Sequence, residues 1–179
     1  MNIVLLSVLL VVTWLLAAYF IHRVAHIKHK WNILFYIHKA HHEINYLASD
    51  EQNSAFKMRY LLFLFGDYRG TLDVLLTLTL PALLVLFVHT EIGLGILIFH
   101  YIYEVFLSEH VLDHNPRIRK CGARCFAWGE YHLMHHLKPS CNFGIILPIG
   151  DYLFGTYKKP AFNQSLTSIN GYYSHELSK

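Results

Sequence analysis

The residues of this chain that are best suited to chemistry are histidines at regular spacings. They form four motifs of two types, and the two types follow each other in the same order in both halves of the chain: His22-x-x-x-His26, His38-x-x-His41-His42, His110-x-x-x-His114 and His132-x-x-His135-His136. Residues three and four apart share one face of a helix. Each motif is therefore expected to direct its imidazoles to one side.

This pattern predicts a metal centre. Neutral imidazole is the commonest protein ligand for zinc, copper, iron and nickel. The alternative is a set of ordinary surface or core histidines with hydrogen bonds, and four matched motifs in repeated order disfavour it. Five histidines in each half exceed the four ligands of a tetrahedral zinc. The pattern thus suggests two metals of higher coordination number.

The elements that would position these motifs are predicted to be membrane helices. The chain has 179 residues, of which 54% are hydrophobic and only 15% charged, whereas soluble domains have about a quarter charged residues. Nearly uncharged runs cover 3–21, 72–88 and 92–107. The first run could instead be a signal peptide, but no Lys or Arg precedes it and a histidine motif follows at once.

We therefore expect an all-α integral membrane bundle of about three to four transmembrane helices, with a cytosolic histidine-rich helical cap. The membrane domain would cover 1–159, and 160–179 would form a polar tail. The first helix should continue into His22 and His26. The third should continue to His114 and end at Asn115-Pro116, because the residue before a proline disfavours the α conformation. Pro81 is expected to kink the second helix, and 45–54 is expected to form a loop.

The distribution of basic residues predicts the topology. All fifteen Lys and Arg lie within 23–69 and 117–179, and none lies before the first run or in the turn at 89–91. The positive-inside rule places the histidine motifs on the cytosolic side, at the endoplasmic reticulum in a eukaryote or the plasma membrane in a bacterium. The three cysteines contain no C-x-x-C pair and are interpreted as reduced thiols. No nucleic-acid partner is expected.

The four motifs resemble those of the fatty acid hydroxylase/sterol desaturase superfamily. Asn142-Phe143-Gly144 is similar to the family's N-[YF]-G, and the segment 151–156 is similar to its D-x-L-F-G-T. The resemblance extends from His22 to about Tyr157. Family members usually have four spans, whereas this sequence shows three. A first motif with three intervening residues looks more like that of sterol-type members.

The resemblance implies a function. The family holds a cytosolic di-iron centre in membrane helices and uses O2 and two electrons to hydroxylate or desaturate lipid C–H bonds. Zinc can replace the iron in a recombinant sample. The implied partners are a lipid substrate in the bilayer and a separate electron donor of the cytochrome b5 or ferredoxin type. The implied ligands are His22, His26, His38, His41, His42, His110, His114, His132, His135 and His136.

Several other polar residues are candidates for supporting roles. A ligand imidazole usually donates its second N–H to a carboxylate or carbonyl, and acids and amides near the motifs could accept it. These second-shell candidates are Glu43, Asp113, Asn142 and Asp151, with Glu109 and Glu130 as further acids beside the motifs. His100 and Glu104 lie one turn apart within the third apolar run, where ionisable residues are costly. They either pair with each other or line the substrate path.

The leading interpretation is a membrane-bound, O2-dependent di-iron lipid hydroxylase acting on an acyl chain or a sterol. A desaturase or sterol methyl oxidase on the same scaffold is the first alternative. An alternative from another class is a membrane zinc hydrolase or a metal-binding non-enzyme. Zinc has no redox chemistry, so the identity of the metal separates these classes. The basic segment 117–120 is expected to lie on lipid headgroups or to dock the electron donor.

Overall fold

The computed structural model describes residues 2–43, 57–65 and 67–159, without the side chains of Glu109, His110 and Cys121. The expected loop at 45–54 and the tail at 160–179 lie outside these residues. Within them the chain is helical and contains no strand, which confirms the predicted all-α class. The α-helices are α1 (Ile3–Ala25), α2 (Ile33–His42), α3 (Tyr68–Val74), α4 (Leu80–Val88), α5 (Thr90–Ile102), α6 (Cys121–Cys125), α7 (Glu130–Leu137) and α8 (Ile149–Phe154).

Three helices of the described residues are long and apolar enough to cross a membrane. They are Ile3–Ala25, Tyr68–Val88 and Thr90–Ser108, referred to below as spans 1, 2 and 3. Large apolar side chains on their outer faces point away from the protein, and Phe87 and Val88 are 85% and 72% exposed. Such a surface suits hydrocarbon rather than water. The three predicted spans are confirmed as candidates, while the side of the membrane stays a prediction.

Spans 2 and 3 form a tight antiparallel hairpin that packs against span 1. Gly93 permits the close approach, because a Cβ at this position would lie 2.2 Å from the Cα of Leu86. Trp14 of span 1 donates its indole N–H to the carbonyl oxygen of Leu78 at 3.0 Å. Both residues are in the hydrophobic core shared by the spans. The hairpin and span 1 thus provide a fixed base for the histidine-bearing segments.

Two stretches of these spans are π-helical, which the sequence patterns do not predict. Leu75–Thr79 interrupts span 2 immediately before α4. Pro81 then lies in the first turn of α4, and its ring nitrogen donates no hydrogen bond to the π-helical turn before it. The second stretch, Tyr103–Leu112, continues span 3. The expected helical continuation toward His114 is therefore present, but it has wider turns, and π-helical segments often occur at functional sites.

Short helices and loops cover one end of the three spans. Helix α8 packs on the last turns of α1, where the ring of Tyr19 stacks on that of Phe154 at 5.5 Å between centroids. Gly150 makes this packing possible, since a Cβ there would lie 2.4 Å from the Tyr19 ring. A short 3₁₀ helix, Met58–Leu62, packs against the side of span 3 through Tyr60 and Val105. All four histidine motifs lie at this covered end.

Candidate metal centre

Helix ends bring the histidine motifs together. His22 occupies the last turn of α1 and His26 follows it directly. The second motif forms the last five residues of α2. The third motif lies at the end of the π-helical stretch that continues span 3, and the fourth lies in α7. Although these motifs are up to 114 residues apart in sequence, they meet in one place.

Nine of the ten histidines form two compact groups. Within each group the candidate ligand nitrogens all lie within 4.8 Å of one another. The first group contains His22, His26, His38, His42 and His135. The second group contains His41, His114, His132 and His136. The tenth histidine, His110, has its side chain outside the described part of the structure, so its role stays a prediction.

His38 lies at the centre of the first group. Its Nε2 atom is 3.1 Å from Nε2 of His22, 3.0 Å from that of His26 and 3.1 Å from that of His42. A ring nitrogen offers one hydrogen or one lone pair, so it can form only one such hydrogen bond. Nitrogens held about 2.1 Å from one ion would be separated by about 3.0–3.4 Å. The spacing therefore fits convergence on an ion better than a hydrogen-bond network.

The second group repeats this arrangement around His136. Its Nε2 atom is 3.1 Å from Nε2 of His41, 3.1 Å from that of His132 and 3.2 Å from that of His114. The two groups also touch, since the rings of His42 and His136 stack at 4.3 Å between centroids. The described residues thus offer two adjacent sites that could each hold one metal ion.

Each group takes one histidine from the other half of the chain. In both His-x-x-His-His motifs, the first histidine, at position i, and the last, at position i+4, belong to the group of their own half of the chain. The histidine at i+3 belongs to the other group: His41 joins the second and His135 joins the first. The adjacent pairs at 41–42 and 135–136 are therefore divided between the sites, because neighbours on a helix point about 100° apart.

Five histidines of the two groups have pKa values far enough below the ordinary value to be neutral near pH 7. Burial and, to a smaller extent, neighbouring His38 together lower the pKa of His41 to about 4. Burial also lowers the pKa of His42, His132, His135 and His136 well below the ordinary value, and nearby imidazoles add to the effect. A neutral imidazole has the lone pair that binds a metal. The electrostatics of the site thus favour cation binding over protonation.

Three ligand candidates of the first group have a defined partner for Nδ1. His22 Nδ1 lies 2.7 Å from the carbonyl oxygen of Phe143, and His135 Nδ1 lies 2.7 Å from that of Cys141. His38 Nδ1 lies 2.9 Å from a carboxylate oxygen of Asp73. In each case an Nδ1–H that donates to oxygen leaves the Nε2 lone pair directed toward the group.

Asp73 was not identified from the sequence. It lies in span 2, which contributes no histidine, and its neighbours in sequence are apolar. A carboxylate within a membrane-spanning run is costly and often functional. That position was the available signal, but the sequence does not show that Asp73 reaches a histidine 35 residues away.

Asn142 and Asp151 hold the loop that supplies these carbonyl groups. Asp151 is fully buried and accepts hydrogen bonds from the backbone N–H groups of Phe143 and Gly144 at 2.8 and 2.7 Å, and from the Tyr131 hydroxyl. Asn142 has φ 58° and bonds to the backbone of Tyr131 and Lys158. The described contacts of both residues are with this framework, so they would act on the ligands through the loop.

The remaining acids proposed to accept from ligand imidazoles have other described partners. Glu43 pairs with Lys39 at 3.4 Å and lies 3.9 Å from Arg69, and its side chain is 38% exposed. Glu130 pairs with Arg119 at 3.4 Å. Asp113 is buried and accepts from the hydroxyls of Tyr103 at 2.5 Å and Ser108 at 2.7 Å. The side chain of Glu109 lies outside the described residues.

A cavity of about 400 Å³ adjoins both groups of histidines. Its wall includes His22 and His38 of the first group and His41, His114 and His132 of the second. The apolar part of its wall contains Phe65, Val74, Leu78 and Ile145, and the polar part contains Asp73, Thr77, Glu104, Ser108 and Asp113. Thr77 and Leu78 come from one π-helical stretch, and Glu104 and Ser108 come from the other.

The two substrate-path candidates have different positions. Glu104 is buried and lines the cavity, as the path hypothesis requires. His100 is also buried, and its Nε2 lies 2.8 Å from the hydroxyl of Thr79. His29, the remaining histidine near the first motif, is exposed and lies outside both groups.

The comparisons with known proteins agree with this architecture. The family model described as fatty acid hydroxylase matches residues 7–156, which include most of span 1, spans 2 and 3, all four histidine motifs and α8. The comparisons with curated proteins and with solved structures gave no match.

Proposed function

The chain belongs to the fatty acid hydroxylase family, and on this premise we propose that it is a membrane-bound, O2-dependent lipid hydroxylase with a di-iron centre. The observation that best supports this proposal is the pair of histidine groups beside the cavity. Each group has a central nitrogen close to three others, and both groups contribute to one cavity wall. This arrangement suits two metals acting on one substrate.

The residues present fit two irons. We assign one site to His22, His26, His38, His42 and His135. We assign the other to His41, His114, His132 and His136, with His110 as a fifth ligand from the repeated motif order. Bound iron would supply the redox chemistry that side-chain acids and bases lack for an unactivated C–H bond. Five imidazoles exceed the four ligands of a structural zinc, which supports a metal of higher coordination number.

The protein's own residues would orient the ligands and the lipid. The carbonyl groups of Phe143 and Cys141 fix the rings of His22 and His135. The apolar wall of the cavity would accept hydrocarbon, and its histidine-lined part would receive the carbon to be oxidised. A helical bundle that keeps the substrate in the membrane lets the reactive carbon reach the site without passing through water.

Electrons would come from a separate carrier at the proposed cytosolic face. Arg117, Arg119 and Lys120 are exposed near the third motif. A basic surface raises the rate of encounter with an acidic carrier of the cytochrome b5 or ferredoxin type. Reversing the charge at Arg117 and Lys120 should slow reduction by such a carrier, more at low salt than at high salt.

Oxygen-isotope labelling tests the proposed reaction. Membranes that contain the full chain, supplied with reductant and 18O2, should place one labelled oxygen atom in an acyl or sterol product. His38→Ala and His136→Ala should each reduce product formation at least about a hundredfold, given the usual effect of removing an essential catalytic element. His29→Ala, which alters an exposed histidine outside both groups, is the matched control.

The labelling result also separates the alternatives. A new double bond without label would indicate a desaturase on the same scaffold. Oxygen derived from water would contradict the oxygenase proposal and support a zinc hydrolase. Sterol methyl oxidation would place labelled oxygen on a sterol methyl carbon.

A further inference from the structure

Asp73 connects span 2 to the centre of the first histidine group. Its Oδ2 atom lies 2.9 Å from Nδ1 of His38, and its Oδ1 atom lies 3.4 Å from the hydroxyl of Thr77. The side chains of His38 and Asp73 are 7% and 16% exposed. Because His38 Nε2 faces three other ligand candidates, a residue that fixes the His38 ring also fixes the geometry of the whole group.

The hydrogen bond to Asp73 differs in kind from the other Nδ1 contacts of the site. His22 and His135 donate to neutral backbone carbonyl groups, whereas His38 donates to a carboxylate. In the second group, the buried Nδ1 of His132 has no hydrogen-bond partner among the described residues. Charge-assisted hydrogen bonds are about twice as strong as neutral ones, and a carboxylate partner makes an imidazole a stronger donor to metal.

The carboxylate also supplies negative charge that the ligands lack. Nine neutral imidazoles would leave two metal cations without an anionic protein ligand, and Asp73 would place a charge on the far side of one ligand ring. Negative charge near a metal stabilises its more oxidised state. The effect would act on the first site, because Asp73 contacts His38 and no other histidine among its described hydrogen bonds.

We propose that Asp73 is a positioning residue that makes the two metal sites unequal, raising the affinity and lowering the reduction potential of the metal at the first site. This inference rests on the proposed assignment of the two groups as metal sites. It does not require that the reaction be a hydroxylation.

Cobalt titration of the full chain tests whether Asp73 makes the two sites differ in metal affinity. Metal-free protein in detergent is titrated with Co²⁺, and binding is followed by visible absorption, which reports ligand geometry. Asp73→Asn keeps the size of the side chain and one hydrogen-bond acceptor but removes the charge. We expect the variant to bind one of two cobalt ions about 10–100-fold more weakly, the usual range when a metal ligand loses its hydrogen-bond partner. The affinity for the other ion should stay unchanged.

Further variants separate positioning from a merely structural role. Asp73→Glu keeps the charge and should restore part of the affinity and the absorption spectrum. In a His38→Ala background, Asp73→Asn should have no additional effect, because both changes act on one ligand. Glu43→Gln is the matched control, since Glu43 adjoins the second motif and lines the same cavity but pairs with Lys39 and Arg69.

The outcomes are decisive in either direction. Selective weakening of one site in Asp73→Asn, with partial recovery in Asp73→Glu, supports the proposal. Unchanged binding, or equal weakening of both sites by altered folding or any other cause, overturns it. Because the probe is cobalt binding, this result is independent of the isotope-labelling result. A chain that fails to oxygenate lipid could still show two unequal sites.

Discussion

At the scale of single residues, position within a motif determines which of the two groups a histidine joins. His135 and His136 are neighbours in sequence but belong to different groups. The spacing in sequence predicted that the imidazoles would converge, and the structure brings nine of them together. It did not predict that His41 and His135 would each join the group of the other half of the chain, because that depends on how α2 and α7 are rotated against each other.

This exchange of His41 and His135 between the two groups leads to a prediction for paired substitutions. His38→Ala with His135→Ala removes two ligands from the first group, although they come from different halves of the chain. This variant should keep about one metal of two. His38→Ala with His136→Ala removes the central histidine from each group and should weaken metal binding at both sites, because each central Nε2 lies close to three other candidate ligand nitrogens. Elemental analysis of the purified variants measures both values.

The comparison of these two variants is closely matched, since they differ by one position along α7. Equal metal content in the two would contradict the grouping. His29→Ala should keep the full metal content, because His29 is exposed and outside both groups.

The neutral histidines also predict how the stability of the metal-free chain depends on pH. The pKa of His41 falls from 6.5 to about 4 on folding. Between these values the unfolded chain binds a proton that the folded chain does not, so the free energy of unfolding rises with pH. Stability should therefore decrease as the pH falls from about 6.5 toward 4. His42, His132, His135 and His136 add in the same direction.

Thermal unfolding of the metal-free chain in detergent, measured from pH 4 to pH 7, checks this dependence. The His41→Gln variant should show a smaller slope, because it lacks one of the titrating groups. A melting temperature that rises on acidification would contradict the assignment of neutral buried imidazoles.

At the scale of the elements, the helices that carry the motifs were largely predictable. Apolar runs of adequate length predicted the three spans, and the spacing of three and four predicted helices at α2 and α7. The π-helical stretches Leu75–Thr79 and Tyr103–Leu112 were not predicted. An i→i+5 pattern satisfies the backbone as an α-helix does, so the hydrophobic pattern does not distinguish the two.

The loop that follows α7 is a second element whose role depends on tertiary contacts. Asp151 accepts from the backbone at Phe143 and Gly144, from Tyr131 and from the Thr156 hydroxyl at 2.6 Å. The motifs around Asn142 and Asp151 were visible in the sequence. The sequence did not show that these residues position the Phe143 and Cys141 carbonyl groups against His22 and His135, because this depends on the tertiary fold.

Asp151→Asn should weaken the hydrogen bonds that hold this loop in place. An amide cannot accept from all these donors, and a buried donor without a partner costs about 1–3 kcal/mol. We expect the melting temperature to fall and the first metal site to weaken more than the second, because His22 and His135 depend on the loop carbonyls. Thermal unfolding and cobalt titration measure the two effects. Glu91→Gln, at an exposed acid in the first turn of span 3, is the control. Equal weakening of both sites would contradict the selective role of the loop.

At the scale of the whole molecule, the bundle has three candidate spans and all its histidine motifs at one end. The turn at His89 lies at the other end, between spans 2 and 3. The three apolar runs of the sequence correspond to the three candidate spans of the described residues, within the predicted three to four. The assignment of the histidine end to the cytosol rests on the distribution of Lys and Arg.

Site-directed labelling tests that topology. In a chain whose three native cysteines are replaced by serine, a cysteine at Thr90 should react with a membrane-impermeant reagent from one side only. A cysteine at Lys30, which is exposed at the histidine end, should react from the opposite, cytosolic side. Labelling of both positions from the same side would contradict the topology and the membrane-spanning role of the hairpin.

The central claim is that the chain holds two redox-active metal ions in its two histidine groups. The number and identity of the metal ions in the full chain, purified from iron-replete cells, test this claim most directly. Elemental analysis with Mössbauer spectroscopy should find about two irons in each chain, since the two groups provide at least four histidines each. A single tightly bound zinc, unchanged when both His38 and His136 are replaced by alanine, would contradict the account.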